Sequence, residues 1–326
     1  MRDRGEEDVL LGSLLPDGVR WAEGTGEPDG ACPYPEEEAL MARAVPGRRR
    51  EFAAARVCAH RALAALGAAP GPLLRGRRGA PAWPAPTVGS ITHCAGYRAA
   101  AVAPAGRLLA LGIDAEPHAP LPPGVRGAVA FGPEETWLRR AAAGRPDLAW
   151  DRLLFSAKES VYKAWSGYGG AWLGFEDAEV SWWPGTDTAP DGMPHAADRD
   201  RDGMLDAADR KRDGMLNAAD RERDGMLNAA DRDRDATNPL SSAPDTAPDG
   251  HPPRPARARA GRLRAAGRFR ARLLVDPPPP TPVGPHPFPR VLDGRWLARE
   301  GLLLTAVAVP RPVPPPQRTA PKEHPR

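Results

Sequence analysis

The stretch TVGSITHCAGYRAAAVAPAGRLLALGIDAEP, residues 87–117, holds strand-like runs at Thr87–Cys94, Tyr97–Ala103 and Leu108–Asp114. Ala95-Gly96 and Pro104-Ala105-Gly106 supply the turns between them, so the stretch predicts an antiparallel meander. Upstream, GRRREFAAARVCAHRALAALG (47–67) places Phe52, Ala55, Cys58 or Ala59, Ala62 and Leu66 at helical spacing, with Gly67 as a C-terminal stop. A Gly/Pro/Arg loop from Ala68 to Pro86 joins the two. The unit is therefore a helix followed by a meander.

The same plan recurs downstream. Trp150–Trp165 predicts a helix with Leu154, Ala157, Val161 and Ala164 on its apolar face, followed by strand candidates at Ala178–Trp182, Phe269–Val275 and Leu302–Val309. Two helix-plus-antiparallel-meander units make an α+β, pseudo-twofold duplicated fold the expectation. Residues 1–117 form its N-terminal half, and 118–183 with 268–312 form its C-terminal half. Residues 313–326 are expected to be a disordered tail.

Residues 184–267 interrupt the pattern. They carry an 11-residue unit starting at Ala196, Ala207, Ala218 and Ala229, the last copy degraded. Dense charge with almost no aromatic or β-branched content cannot offset ordering entropy, so disorder is expected there. The insert falls between two strand candidates, where a hairpin loop tolerates length. Asp198, Asp200, Asp202, Gly203, Leu205, Asp206 and Asp209 fit a calcium loop in outline. Later copies fit less well, with Lys211 and Glu222 at the third position and no flanking helices, so an expanded tandem repeat is the default.

Composition narrows the function classes. A net charge of +3 over 326 residues gives little support to a nucleic-acid-binding role. The widely spaced Cys32, Cys58 and Cys94 suggest neither a disulfide framework nor a zinc site. No apolar run reaches the ~20 residues of a membrane span, and the acidic residues before Val9–Leu15 make that stretch a poor signal sequence. A cytoplasmic protein with no membrane partner is expected.

Period-two alternation in Gly112-Ile113-Asp114-Ala115-Glu116-Pro117 puts Asp114 and Glu116 on one strand face, about 7 Å apart, where they could share a divalent cation. A solvated strand end explains that motif equally well when it is taken alone. In FSAKESVYK (155–163), Glu159 and Lys163 are neighbours on a polar helix face, as a surface ion pair would also be. Lysine scarcity argues for more: of 45 Lys+Arg only Lys158, Lys163, Lys211 and Lys322 are lysine. An arginine would have served a surface pair equally well. His93 and Cys94 are adjacent, so on a strand they face opposite ways and do not pair as base and nucleophile; Cys94 is expected in the core and His93 in a site. Arg48, Arg49, Arg50, Arg56, Arg61, Arg77 and Arg78 could hold phosphate, although each singly reads as background arginine on a solvated face.

Taken in order, RRREFAAARVCAHRALAALG (48–67), RRGAPAWP (77–84), VGSITHCAGYRAAAVA (88–103), GIDAEP (112–117), FSAKESVYKAW (155–165) and WLGFEDAEV (172–180) resemble the Sfp-type 4′-phosphopantetheinyl transferases. They are similar in particular to the bacterial branch typified by enterobactin synthetase component D, which implies a part in siderophore or secondary-metabolite biosynthesis. FRARLL (269–274) and DGRWLAREGLLLTAVAV (293–309) add a weaker tail. The resemblance implies coenzyme A bound between two α+β subdomains and transfer of its phosphopantetheine arm to a serine of an apo carrier protein, with release of 3′,5′-ADP. It implies Asp114, Glu116 and Glu159 as Mg²⁺ ligands, Glu159 also as activator of the acceptor serine, and Lys163 and Lys158 as charge balance on the pyrophosphate. His93 would meet a coenzyme A phosphate, and Arg48, Arg56, Arg61, Arg77 and Arg78 would supply the other cationic contacts. His60 stands where the family pattern has arginine, which shifts part of that contact to Arg61. Since both halves lie in one chain, a monomer is expected. A metal-dependent phosphoesterase using the same acidic cluster is the alternative.

Overall fold

A computed structural model describes residues 10–26, 32–76, 79–184, 264–279 and 286–312. They belong to one compact unit, Met1–Met193 with Arg262–Arg326. The repeats, the calcium-loop reading, the greater part of the 184–267 insert, the 313–326 tail and both Arg77 and Arg78 lie outside the described residues.

The elements run β1 (Arg20–Thr25), α1 (Pro35–Ala39), α2 (Pro46–Leu66), β2 (Thr87–Cys94), β3 (Tyr97–Pro104), β4 (Leu108–Pro117), α3 (Arg126–Val129), α4 (Pro133–Gly144), α5 (Trp150–Tyr168), β5 (Ala178–Pro184), β6 (Arg264–Leu273), β7 (Val291–Arg299) and β8 (Leu302–Pro310). One antiparallel sheet has the order β1-β3-β2 and the other β4-β8-β7-β6-β5. The α+β class expected from the sequence is the one observed.

The pairing differs from the predicted meander at one point. β4 does not pair with β3; it joins β8 as the edge of the five-stranded sheet. The chain changes sheets across Pro104–Arg107. β4 still lies beside β2, linked through side chains rather than a backbone ladder. The Ile113 N–H donates to Ser90 Oγ at 3.1 Å, and the Ala115 N–H donates to Thr92 Oγ1 at 3.0 Å. Both numbers rise together along the two strands, so β2 and β4 run parallel at this seam. The hydroxyls of Ser90 and Thr92 satisfy buried donors that would otherwise be costly.

Each half buries one helix on its sheet. In the first, Cys58, Ala59, Ala62 and Leu63 of α2 pack with Leu73, Ala100 and Val102. Gly67, at φ 80°, ends that helix as the sequence predicts. In the second, Leu153, Leu154, Ala157 and Val161 of α5 pack with Phe269, Trp296 and Val307. Burial of one such leucine stabilises by about 1.5–3 kcal/mol. β5 and β6 form the predicted hairpin, with Pro184 opposite Gly267, so the insert leaves and re-enters at paired strand ends.

Candidate active site

The site is built where α5 crosses β4. Alternation in β4 sends Ile113 and Ala115 into the core at 0% exposure and turns Asp114 and Glu116 the other way. Gly112 sets how close α5 can come. A Cβ there would sit 1.9 Å from Ser160 O and 2.7 Å from the Ala164 nitrogen. The helix backbone therefore rests on the strand, and small Ser160 and Ala164 complete the contact.

This approach brings Lys163 to Asp114. Lys163 Nζ donates to Asp114 Oδ1 at 2.7 Å, to Ile113 O at 3.1 Å and to Thr92 Oγ1 at 3.4 Å. Thr92 Oγ1 in turn donates to Asp114 Oδ1 at 3.3 Å. All the polar contacts of Asp114 thus fall on one oxygen. Asp114 Oδ2 is buried with no hydrogen-bond partner among the described residues. A charge-bearing oxygen in that state calls for a ligand, because leaving it unpaired costs desolvation.

Glu116 and Glu159 are also buried, at 3% and 7% exposure. Glu116 Oε2 accepts from Arg152 Nη1 at 2.9 Å, while the other arms of that guanidinium reach Ala119 O and Pro120 O. Arg152 was not singled out from the sequence. Helical period could have found it, since Arg152, Glu159 and Lys163 stand seven and four residues apart and share one face of α5. Three carboxylates are hard oxygen donors of the kind Mg²⁺ takes, so the donor set fits in kind. Among the described residues, no three His, Cys, Asp or Glu side chains are grouped to hold one ion. Lys163 and Arg152 balance the charge on Asp114 and Glu116 instead.

Lys158 does not join this cluster. Its ammonium donates to Glu134 Oε2 at 2.7 Å, Phe175 O at 2.7 Å and Val129 O at 2.9 Å, which uses all its N–H groups. Burial pushes its pKa down, and the Glu134 carboxylate opposes that. The expectation that it meets a pyrophosphate is corrected: five helical residues rotate it about 140° from Lys163, into a structural ion pair.

β2 carries its next residue to a second cationic cluster. His93 Nε2 lies 2.9 Å from Arg48 Nη1, and Nδ1 lies 3.8 Å from Glu51 Oε2. His93, Glu51, Arg50 and Arg98 help to line a cleft of about 220 Å³. Cys94 is buried as expected. Arg56 is 4% exposed, its Nε and Nη1 without partners among the described residues, and burial lowers its pKa. Arg61 lies exposed on a different flank of α2 and is not brought to Arg56. His60, one turn beyond Arg56, shares its side of the helix.

The chain matches the family model for the 4′-phosphopantetheinyl transferase N-terminal domain over residues 36–103 and that for the 4′-phosphopantetheinyl transferase superfamily over 110–201. It is 49% identical over 172 residues to the 4′-phosphopantetheinyl transferase Npt of Nocardia iowensis, covering 53% of this chain and 76% of that protein. The chain belongs to the 4′-phosphopantetheinyl transferase family. It is also similar to PptT of Mycobacterium tuberculosis, at 46% identity over 177 residues, 53% of this chain and 77% of that one. Svp of Streptomyces mobaraensis is 60% identical over 148 residues, which are 45% of this chain and 60% of that relative's length. The two family models meet between residues 103 and 110, where the transferase fold passes from one sheet to the other.

Proposed function

We propose that this chain transfers the 4′-phosphopantetheine arm of coenzyme A to a serine of an apo acyl- or peptidyl-carrier protein, with Mg²⁺, and releases 3′,5′-ADP. The observation that carries this reading is the seam constellation: Asp114 with a buried, unpartnered Oδ2, Lys163 anchored beside it, and Glu159 on the same helix face. The names of the relatives support the same activity.

In the transfer, the serine Oγ attacks the phosphorus that bears pantetheine, and the P–O bond to 3′,5′-ADP breaks. Such a reaction depends on positioning and on neutralising developing charge more than on covalent catalysis. Asp114, Glu116 and Glu159 would hold the cation. When bound, Mg²⁺ would supply positive charge to the pyrophosphate. Glu159 takes the serine proton, directly or through a water. Lys163, held by Ile113 O and Thr92, offers a fixed point charge to a phosphate oxygen. His93 and Arg48 meet a second phosphate, and Arg56 meets the 3′-phosphate end. Since both halves of the fold lie in one chain, a monomer suffices.

The test is intact mass of an apo carrier protein incubated with this chain, coenzyme A and Mg²⁺, with EDTA as control. A metal-dependent gain of about 340 Da, the mass of the transferred arm, is expected. Free phosphate or phosphopantetheine without carrier modification would replace this reading with a phosphoesterase.

A further inference from the structure

A second buried polar knot lies in the N-terminal half, around a residue the sequence reading passed over. Glu37, on the short helix α1, has 0% exposure. Its Oε1 accepts from the Leu73 backbone N–H at 2.6 Å and lies 2.7 Å from His60 Nε2. Its Oε2 accepts from Cys32 Sγ at 3.6 Å. The Cys32 thiol is pushed up to about 11, first by burial and then by the Glu37 charge, so it donates as a neutral S–H. The Tyr34 ring meets the His60 ring at a tilt, with centroids 4.9 Å apart. A carboxylate this deeply buried persists only with such partners.

The knot ties α1 to both α2 and the Leu73 segment, which already pack on one another through Cys58, Ala59, Ala62 and Leu63. Leu73 opens the arm that bears Arg75, which turns back on itself through the Arg75–Pro81 bridge. His60 belongs to α2, one turn from Arg56, whose Nε and Nη1 are buried and unpartnered. The Arg75 charge acts on Arg56 and disfavours its cation, whereas the Glu37 charge favours it. Arg56, with two buried donors left open and the Arg75 cation acting on it, is arranged for an anion and needs a nearby counter-charge before the anion arrives.

We propose that Glu37 is a positioning residue for the 3′-phosphate end of the coenzyme A site, bracing the Leu73–Arg75 arm against α2 so that Arg56 and Arg75 face one phosphate together. The inference rests on the reading above, in which Arg56 meets the 3′-phosphate. Glu37 itself touches no substrate.

The experiment compares coenzyme A with dephospho-coenzyme A, which lacks only the 3′-phosphate, as donors in the carrier-modification assay. For Glu37→Ala, KM for coenzyme A should rise about tenfold with kcat within about twofold, and KM for dephospho-coenzyme A should stay within about twofold. Glu37→Gln keeps one oxygen for the Leu73 N–H, so its rise should be smaller but equally selective. This variant carries the test if the alanine variant does not fold. Parallel rises with both donors, or no rise with coenzyme A in the glutamine variant, would overturn the proposal. If the wild-type chain itself used the two donors with equal KM, the assignment of Arg56 to the 3′-phosphate would fall, and this inference with it.

Discussion

Gly112 lies directly against the Ser160 backbone: one added carbon on Gly112 would lie 1.9 Å from the Ser160 carbonyl oxygen. The helix carrying Glu159 and Lys163 is thereby seated directly on the strand carrying Asp114 and Glu116. Gly112→Ala must push α5 off β4. It should cost about 1–3 kcal/mol of stability. Transfer should fall by at least about tenfold, because the reacting groups separate. Thermal unfolding and the mass assay, run on the same preparation, check both parts. Unchanged turnover would show that the close approach is not needed.

Glu159→Gln should abolish transfer while leaving the melting temperature within a few degrees of wild type. The substitution keeps the shape of a side chain at 7% exposure and removes its charge and basicity. Turnover like that of the wild type would remove Glu159 from the mechanism.

Lys158 should behave oppositely. With Lys158 and Glu134 side chains 2% and 3% exposed, Lys158→Met leaves the buried Glu134 without its counter-ion, held among the described residues only by the Phe131 and Val180 N–H groups, and should cost about 3–5 kcal/mol. Adding Glu134→Gln should recover part of that loss. The folded fraction should keep the wild-type KM for coenzyme A. A raised KM with an unchanged melting temperature would return Lys158 to the substrate site.

Thr92 links the two sheets by accepting from the Ala115 N–H and donating to Asp114. Thr92→Val orphans that buried N–H and should cost about 1–3 kcal/mol. Thr92→Ser retains the hydroxyl and should restore both stability and turnover. Denaturant unfolding of the two variants tests the link; equal stabilities would dismiss it.

Replacing residues 186–262 with a short glycine-containing turn should leave the transferase folded and active. Pro184 and Gly267 are already paired at the hairpin ends, and shortening the loop lowers its closure cost by about 2 kcal/mol. Loss of transfer in a folded deletion variant would assign the insert a part in the reaction.

Much of this was legible along the chain because it depends on short-range geometry. Alternation through Ile113, Asp114 and Ala115 placed both β4 carboxylates on one face, and it separated His93 from Cys94. Helical spacing and the Gly67 stop defined α2. Scarcity of lysine marked Lys163. The same helical period could have excluded Lys158 from the site and pointed to Arg152, since rotation per residue is a local property.

What tertiary structure alone decided involves partners distant in sequence. No strand was expected over Val291–Arg299, where Gly294 lies in mid-strand opposite Phe269 and a Cβ would meet the ring at 2.1 Å. β7 was therefore hidden until its neighbour was known. β1 was hidden likewise, its Glu23 spent on the Leu10 and Leu11 N–H groups and the Tyr97 hydroxyl. β4 looked like the third strand of a meander, but β8, almost two hundred residues on, supplies its ladder. Periodicity fixes which way a side chain points; which charge it meets there depends on the packing of segments that no local pattern relates.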